Sequence, residues 1–169
     1  MTCDFKLAEA PCFKWVKYDF SAPEGQYVGS VVYGRDGNKV INWPELQLAN
    51  GRAKSTNTGH RYKFVVRVLK DVENDLAAES VIKCLPSYFS ECLIYNVPDR
   101  LFLAGDFDDA VRASLEEVYR QLTRIWLGSL RMVEPSGIKK VFGEGQKWTE
   151  KDARKLIEGA WYSLGYGGQ

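Results

Sequence analysis

The chain has 169 residues, with 45% hydrophobic, 27% charged and 13% aromatic residues, which is the composition of an ordinary globular domain and excludes disorder, collagen and coiled coil. Lys and Arg number 23 against 22 Asp and Glu, a net charge of +1, which argues against a coat of basic residues for wrapping duplex DNA but leaves room for a local basic site. No apolar run approaches the roughly 20 residues of a membrane span, and Met1–Lys6 lacks the basic-then-apolar pattern of a signal peptide. Cys3, Cys12, Cys84 and Cys92 contain no C-x-x-C pair, and with His60 the lone histidine a Cys/His metal cluster is not expected. Four free thiols and a cytoplasmic location follow as expectations. Serine or cysteine nucleophile chemistry would need His60 itself, whose neighbours carry no nucleophile signature.

Residues 1–50 alternate in the manner of strands. Ala10 to Tyr18 reads as one strand, while Gln26 to Tyr33 and Lys39 to Asn42 flank Gly34-Arg35-Asp36-Gly37-Asn38, a hairpin signal. Pro44 ends that strand. From residue 58 the period becomes helical. Thr58 caps a helix to about Leu76, on which Tyr62, Val65, Val66, Leu69, Val72 and Leu76 fall within about 120° of one another. Ser87 is an N-cap with Glu91 in the first turn, and Pro98 stops that segment. A helix opens at Asp106-Phe107-Asp108-Asp109 and runs to about Trp126, where Gly128 can end it. Ser136 to Gln146 is a loop. A last helix follows Thr149, with Asp152 completing a capping box and Gly165 closing it. The expected fold is α+β: a small antiparallel sheet over residues 1–57, followed by a helical bundle over 58–169, in one compact unit.

His60, Lys63, Arg67 and Lys70 share one face of the first helix, away from its apolar stripe, and the segment after Pro86 places a hydroxyl at a helix N-terminus. Two readings stand at this level. The cations and Ser87 converge on one phosphate, or the face is merely solvated next to an ordinary cap.

Three ordered blocks carry a resemblance. The first is Ile41-Asn42-Trp43-Pro44 with Asn50-Gly51, Lys54, Asn57-Thr58, Tyr62-Lys63 and Val66-Arg67-Val68-Leu69-Lys70. The second is Leu85-Pro86-Ser87-Tyr88-Phe89 with Glu91-Cys92-Leu93 and Tyr95-Asn96-Val97-Pro98. The third is Val141-Phe142-Gly143 with Gln146-Lys147-Trp148-Thr149 and the closing Ala160-Trp161 and Leu164-Gly165. Together they resemble the C-terminal portion of the cyclic GMP–AMP synthase/DncV-like nucleotidyltransferases (CD-NTases), related to oligoadenylate synthase, whose bacterial members make nucleotide signals in anti-phage defence. The sheet then corresponds to half of a nucleotidyltransferase palm.

The resemblance implies that Lys63 or Lys70 and Ser87 contact a nucleotide triphosphate and that Tyr88 stacks on a base, unless Tyr88 is a core aromatic. Arg67 is either a further phosphate contact or a structural residue paired with an acid such as Glu91. Lys54 and Asn57 are expected to lie in the loop before the helix, from which Lys54 could approach a ligand. Family enzymes also use a Gly-Ser, an Asp-x-Asp pair and a third carboxylate to hold Mg²⁺. The third-acid strand corresponds to Ala8-Glu9-Ala10-Pro11, where Ala8 stands at the acid position and Glu9 is one residue off, on the opposite face of a strand. Asp106-Phe107-Asp108 has the pair's spacing but reads as a helix cap.

The expectation is therefore a nucleotide-binding or oligonucleotide-binding module without metal of its own. Mg²⁺ and ATP or GTP would enter only with a catalytic half. The alternative is the C-terminal part of an active synthase whose catalytic half is a separate polypeptide or has been removed. A half-sheet with open edges further leads us to expect a homo-oligomer or a complementary protein partner.

Overall fold

A computed structural model describes residues 12–22, 24–34, 37–124 and 128–168. Glu9, the Ala10-Pro11 start of the expected first strand and Trp126 lie outside these. Among the described residues the chain forms three strands, β1 (Phe13–Tyr18), β2 (Gln26–Tyr33) and β3 (Lys39–Asn42). They form an antiparallel sheet in the order β1-β2-β3. Phe13 faces Val31 and Tyr18 faces Gln26 across β1 and β2, while Ser30 faces Asn42 and Tyr33 faces Lys39 across β2 and β3. The Gly34 N–H donates to the Asn38 carbonyl at 2.7 Å and closes the second hairpin, where Gly37 takes the positive φ that the turn requires. Val31 is buried, whereas Phe13, Val28, Tyr33 and Val40 remain exposed.

Among the described residues seven helices follow: α1 (Pro44–Asn57), α2 (Arg61–Ala78), α3 (Tyr88–Tyr95), α4 (Asp99–Leu103), α5 (Phe107–Thr123), α6 (Gly128–Arg131) and α7 (Glu150–Ser163). The mixed α+β class is as expected. Helix α1 was not: residues 44–57 read as a strand end and a loop, yet Pro44 occupies the first helical turn, where its missing N–H is no loss. Its buried positions are Gly51 and Ser55, so it has no apolar stripe to read. Gly128 opens α6 instead of closing α5, which stops at Thr123.

Helix α2 is the central element. All six residues of its anticipated stripe are buried. They pack with Phe89, Leu93 and Ile94 of α3, Phe102 of α4, Val111, Leu115 and Val118 of α5, and Leu156 and Ile157 of α7. Each such side chain contributes roughly 1.5–3 kcal/mol when fully buried. Thr58 serves both flanking helices. Its hydroxyl donates to the Lys54 carbonyl at 2.8 Å and accepts from the Tyr62 N–H at 3.2 Å. The capping boxes Asp106/Asp109 on α5 and Thr149/Asp152 on α7 are both formed, so Asp106 and Asp109 are committed to a helix start.

Cys12 is exposed and Cys92 buried, and both are free thiols, while Cys3 lies outside the described residues. No helix among the described residues is long and apolar enough to cross a membrane.

Candidate nucleotide-phosphate site

The site is built where α3 crosses α2. Two contacts fix the crossing. Lys63 Nζ lies 2.9 Å from Glu91 Oε1, and the Ser90 hydroxyl donates to the Glu73 carboxylate. These contacts are ten residues apart on α2 and adjacent on α3, so the helices cross steeply. Arg67 and Lys70 stand on α2 between them. Arg67 is exposed and Lys70 half-buried, and neither makes an ion pair among the described residues. Ser87 occupies the N-cap position of α3, exposed, and its side chain makes no capping hydrogen bond. The hydroxyl is therefore exposed at the positive end of the helix, where the Phe89 N–H donates to the Pro86 carbonyl at 2.7 Å.

Two candidates have different roles from those anticipated. Glu91 pairs with Lys63, not with Arg67, and the Tyr62 hydroxyl also reaches it at 3.4 Å. Lys54 lies on α1 and points inward. Its ammonium donates to the Val97 carbonyl at 2.8 Å and to Asp99 Oδ1 at 2.6 Å, and it stands 5.4–5.8 Å from the ring centres of Tyr62, Tyr95 and Phe102. A cation so enclosed joins α1 to the α3–α4 turn and is not presented to a ligand.

Tyr88 is half-buried and packs against the core, with its hydroxyl 3.4 Å from Glu134 Oε2. Burial, with Cys92 and Glu134 beside it, pushes its hydroxyl well above the usual tyrosine range. Burial does the same to the Cys92 thiol, reinforced by Glu134, so that cysteine is inert. Glu134 is itself buried and accepts from Gln146 Nε2 at 2.7 Å.

Glu73 was missed by the sequence reading. It is 4% exposed, and burial pushes its carboxyl up to about 7, against the opposing influence of the Ser90 hydroxyl and the Lys70 charge. The signal was present, because on the helical wheel Glu73 falls about 20° from Tyr62, inside the apolar stripe.

The three blocks singled out in the sequence meet around α3. From the first, Asn50 Nδ2 donates to the Pro135 carbonyl at 2.9 Å and Lys54 grips the end of the second. Within the second, the Asn96 amide donates to the Cys92 and Val133 carbonyls and accepts from the Val133 N–H. In the third, Trp148 donates to the Val141 carbonyl at 2.7 Å and its ring lies 5.0 Å from Phe89. This arrangement accounts for the spacing of all three blocks, and residues 49–165 match the family described as the cGAS/DncV-like nucleotidyltransferase C-terminal helical domain. The chain belongs to this family.

Relatives include a cyclic dipyrimidine nucleotide synthase from Legionella pneumophila, 33% identical over 79% of this chain and 44% of its own length. A cyclic UMP-AMP synthase from Rhodothermus marinus is 37% identical over 70% of this chain and 39% of its own. The structure of the Elizabethkingia meningoseptica CdnE cyclic dinucleotide synthase with GTP and Apcpp superposes with a TM-score of 0.80 at 28% identity, covering 92% of this chain and 56% of that one. The chain thus spans about half the length of the proteins it matches. Among the described residues no group of three His, Cys, Asp or Glu is placed to hold a metal ion.

Proposed function

We propose that this chain is the nucleotide-holding, C-terminal portion of a CD-NTase fold and binds the phosphates of a nucleotide or oligonucleotide without catalysing transfer by itself. The observation that carries the reading is the exposure of Ser87 and Arg67, with half-buried Lys70 one turn along α2 from Arg67. The exposed serine starts α3, and Arg67 on α2 makes no ion pair among the described residues, while Lys63 and Ser90 are engaged with Glu91 and Glu73 and Lys70 acts on the buried Glu73. Lys63 adds charge to the rim, partly neutralised by Glu91. Two relatives of known structure are described with nucleotides or their analogues, GTP and Apcpp in one and Apcpp and Upnpp in the other. That supports a nucleoside triphosphate as the ligand class.

Calorimetric titration of the 169-residue protein with ATP, GTP and cyclic dinucleotides tests the reading. Binding is expected in the wild type and is expected to be lost in a Lys63→Ala/Lys70→Ala variant with an unchanged circular dichroism spectrum. Heats no larger than those of the double variant would overturn it.

The matched length favours a second reading, in which the chain is part of an active cyclic nucleotide synthase in anti-phage defence. A complementary region would then supply the carboxylates, Mg²⁺ and the catalytic step. A Gly-Ser and Asp-x-Asp block in the reading frame upstream of Met1, or in a neighbouring gene, would select it. In either reading the exposed apolar residues of the sheet are covered by a complementary protein or a second copy. A nucleotide ligand would fit a cytoplasmic location, which remains part of the proposal.

A further inference from the structure

Away from the α2–α3 crossing, α5 and α7 diverge around a cavity of about 420 Å³ walled by Leu115, Tyr119, Ile157 and Trp161. Tyr119 and Tyr162 are exposed at its mouth, although they are large aromatic groups. Glu116 and Glu158 stand on opposite walls. A second hollow of about 450 Å³ lies along α5 past Ala113 and Arg112 to Asp109 and shares Glu116 with the first. From Asp109 to Tyr119 this track runs about 15 Å along the helix. That is the span of four or five extended residues, longer than a compact small ligand needs.

The charge along the track is unbalanced: Asp109, Glu116 and Glu158 against Arg112. Glu158 makes no ion pair among the described residues, and Glu116 shares Arg112 at 3.4 Å. Arg112 shows what the track accepts. Its guanidinium stands 5.7 Å from the centre of the Trp161 ring while pairing with Glu116, a cation held between an aromatic face and a carboxylate. Glu158 beside Tyr162 offers the same combination with no cation in it.

We propose that the α5–α7 track is a docking site for an extended segment of a partner protein that carries a lysine or arginine next to an apolar residue. The apolar side chain fills the cavity between Leu115, Ile157 and Trp161, and the cation lies between Glu158 and the tyrosines. Interfaces take most of their energy from such a buried anchor. The acid rim selects the charge and rejects acidic segments.

The test is selection of random phage-displayed peptides on the immobilised 169-residue protein. The selected peptides are then synthesised and titrated by fluorescence polarisation against the wild type, Glu158→Lys and Tyr119→Ala. Both substituted side chains are exposed, so folding is expected to persist, and circular dichroism checks it. The expected winners pair a basic with an apolar residue and bind each variant at least tenfold more weakly. Glu158→Lys is expected to regain affinity for a peptide whose cation is replaced by glutamate. Absence of enrichment, acidic winners, or winners indifferent to both variants would overturn the proposal. So would a dimer that dissociates on Tyr119→Ala, which would make the track a self-interface. Protection of Trp161 in a chain extended by its upstream reading frame would also overturn it, because the track would then be occupied by the protein itself.

Discussion

The buried Glu73 carboxylate makes the stability of this domain depend on pH in a calculable way. Its folded value, about 7, lies above the ordinary 4.5, and burial is the main cause. The folded state therefore holds a proton that the unfolded chain releases between about pH 4.5 and 7. Stability falls as pH rises through that window, and the loss is complete above it. The displacement corresponds to about 3 kcal/mol at pH 8 and about 1 kcal/mol at pH 5, relative to a permanently neutral group. Glu73→Gln supplies that neutral group and keeps an oxygen to accept from Ser90. Urea denaturation at the two pH values should therefore show the variant gaining about 1 kcal/mol at pH 5 and about 3 kcal/mol at pH 8, with the same m-value. Lys70 favours the ionised form, so Lys70→Met is expected to lower stability at pH 8 and change little at pH 5. A gain from Glu73→Gln that is equal at both pH values, or a loss at pH 8, would refute the argument that ionising this carboxyl opposes folding.

Two further substitutions separate structural from exposed groups. Lys54→Ala strands Asp99 and empties an aromatic cage, which is expected to cost about 2–4 kcal/mol. Lys63→Ala removes a lysine whose side chain is 38% exposed, against 11% for Lys54, and is expected to cost below about 1 kcal/mol in the same urea series. Gly29→Ala would put a Cβ 2.5 Å from the Asn42 carbonyl oxygen and 2.9 Å from the Trp43 ring, so β2 and β3 must part. The expected loss is about 1–3 kcal/mol, read as a lower melting temperature with a red shift of tryptophan emission.

The elements legible in the sequence were those whose stabilisation is periodic or local. The α2 stripe, the β2–β3 hairpin and the Thr149/Asp152 box each depend on residues a few positions apart. Helix α1 was hidden because it packs through Gly51 and Ser55 and is held by Lys54 and Asn50, whose partners lie 43 and 85 residues away. The loop expected around Lys54 followed from that omission: on α1 its ammonium meets Asp99, the Val97 carbonyl and three aromatic rings. The Lys63–Glu91 pair spans 28 residues and was equally out of reach of a helical wheel, which displays the basic face but not what answers it.

Residues of the family blocks fall into two kinds, those that hold the fold and those left free to meet a ligand. Asn50, Lys54, Asn96, Val141 and Trp148 bind one another or the backbone around α3, and Tyr88 meets the Glu134 carboxylate, so their match to the family is evidence of shape. A shape held by so many internal contacts has few polar groups left over, and the leftover groups are the ones able to meet a ligand without first breaking something. Ser87 and Arg67, both exposed, are in that position. Replacing them should therefore change binding with little change in stability, whereas replacing Lys54 or Asn96 should change stability first and binding only through it.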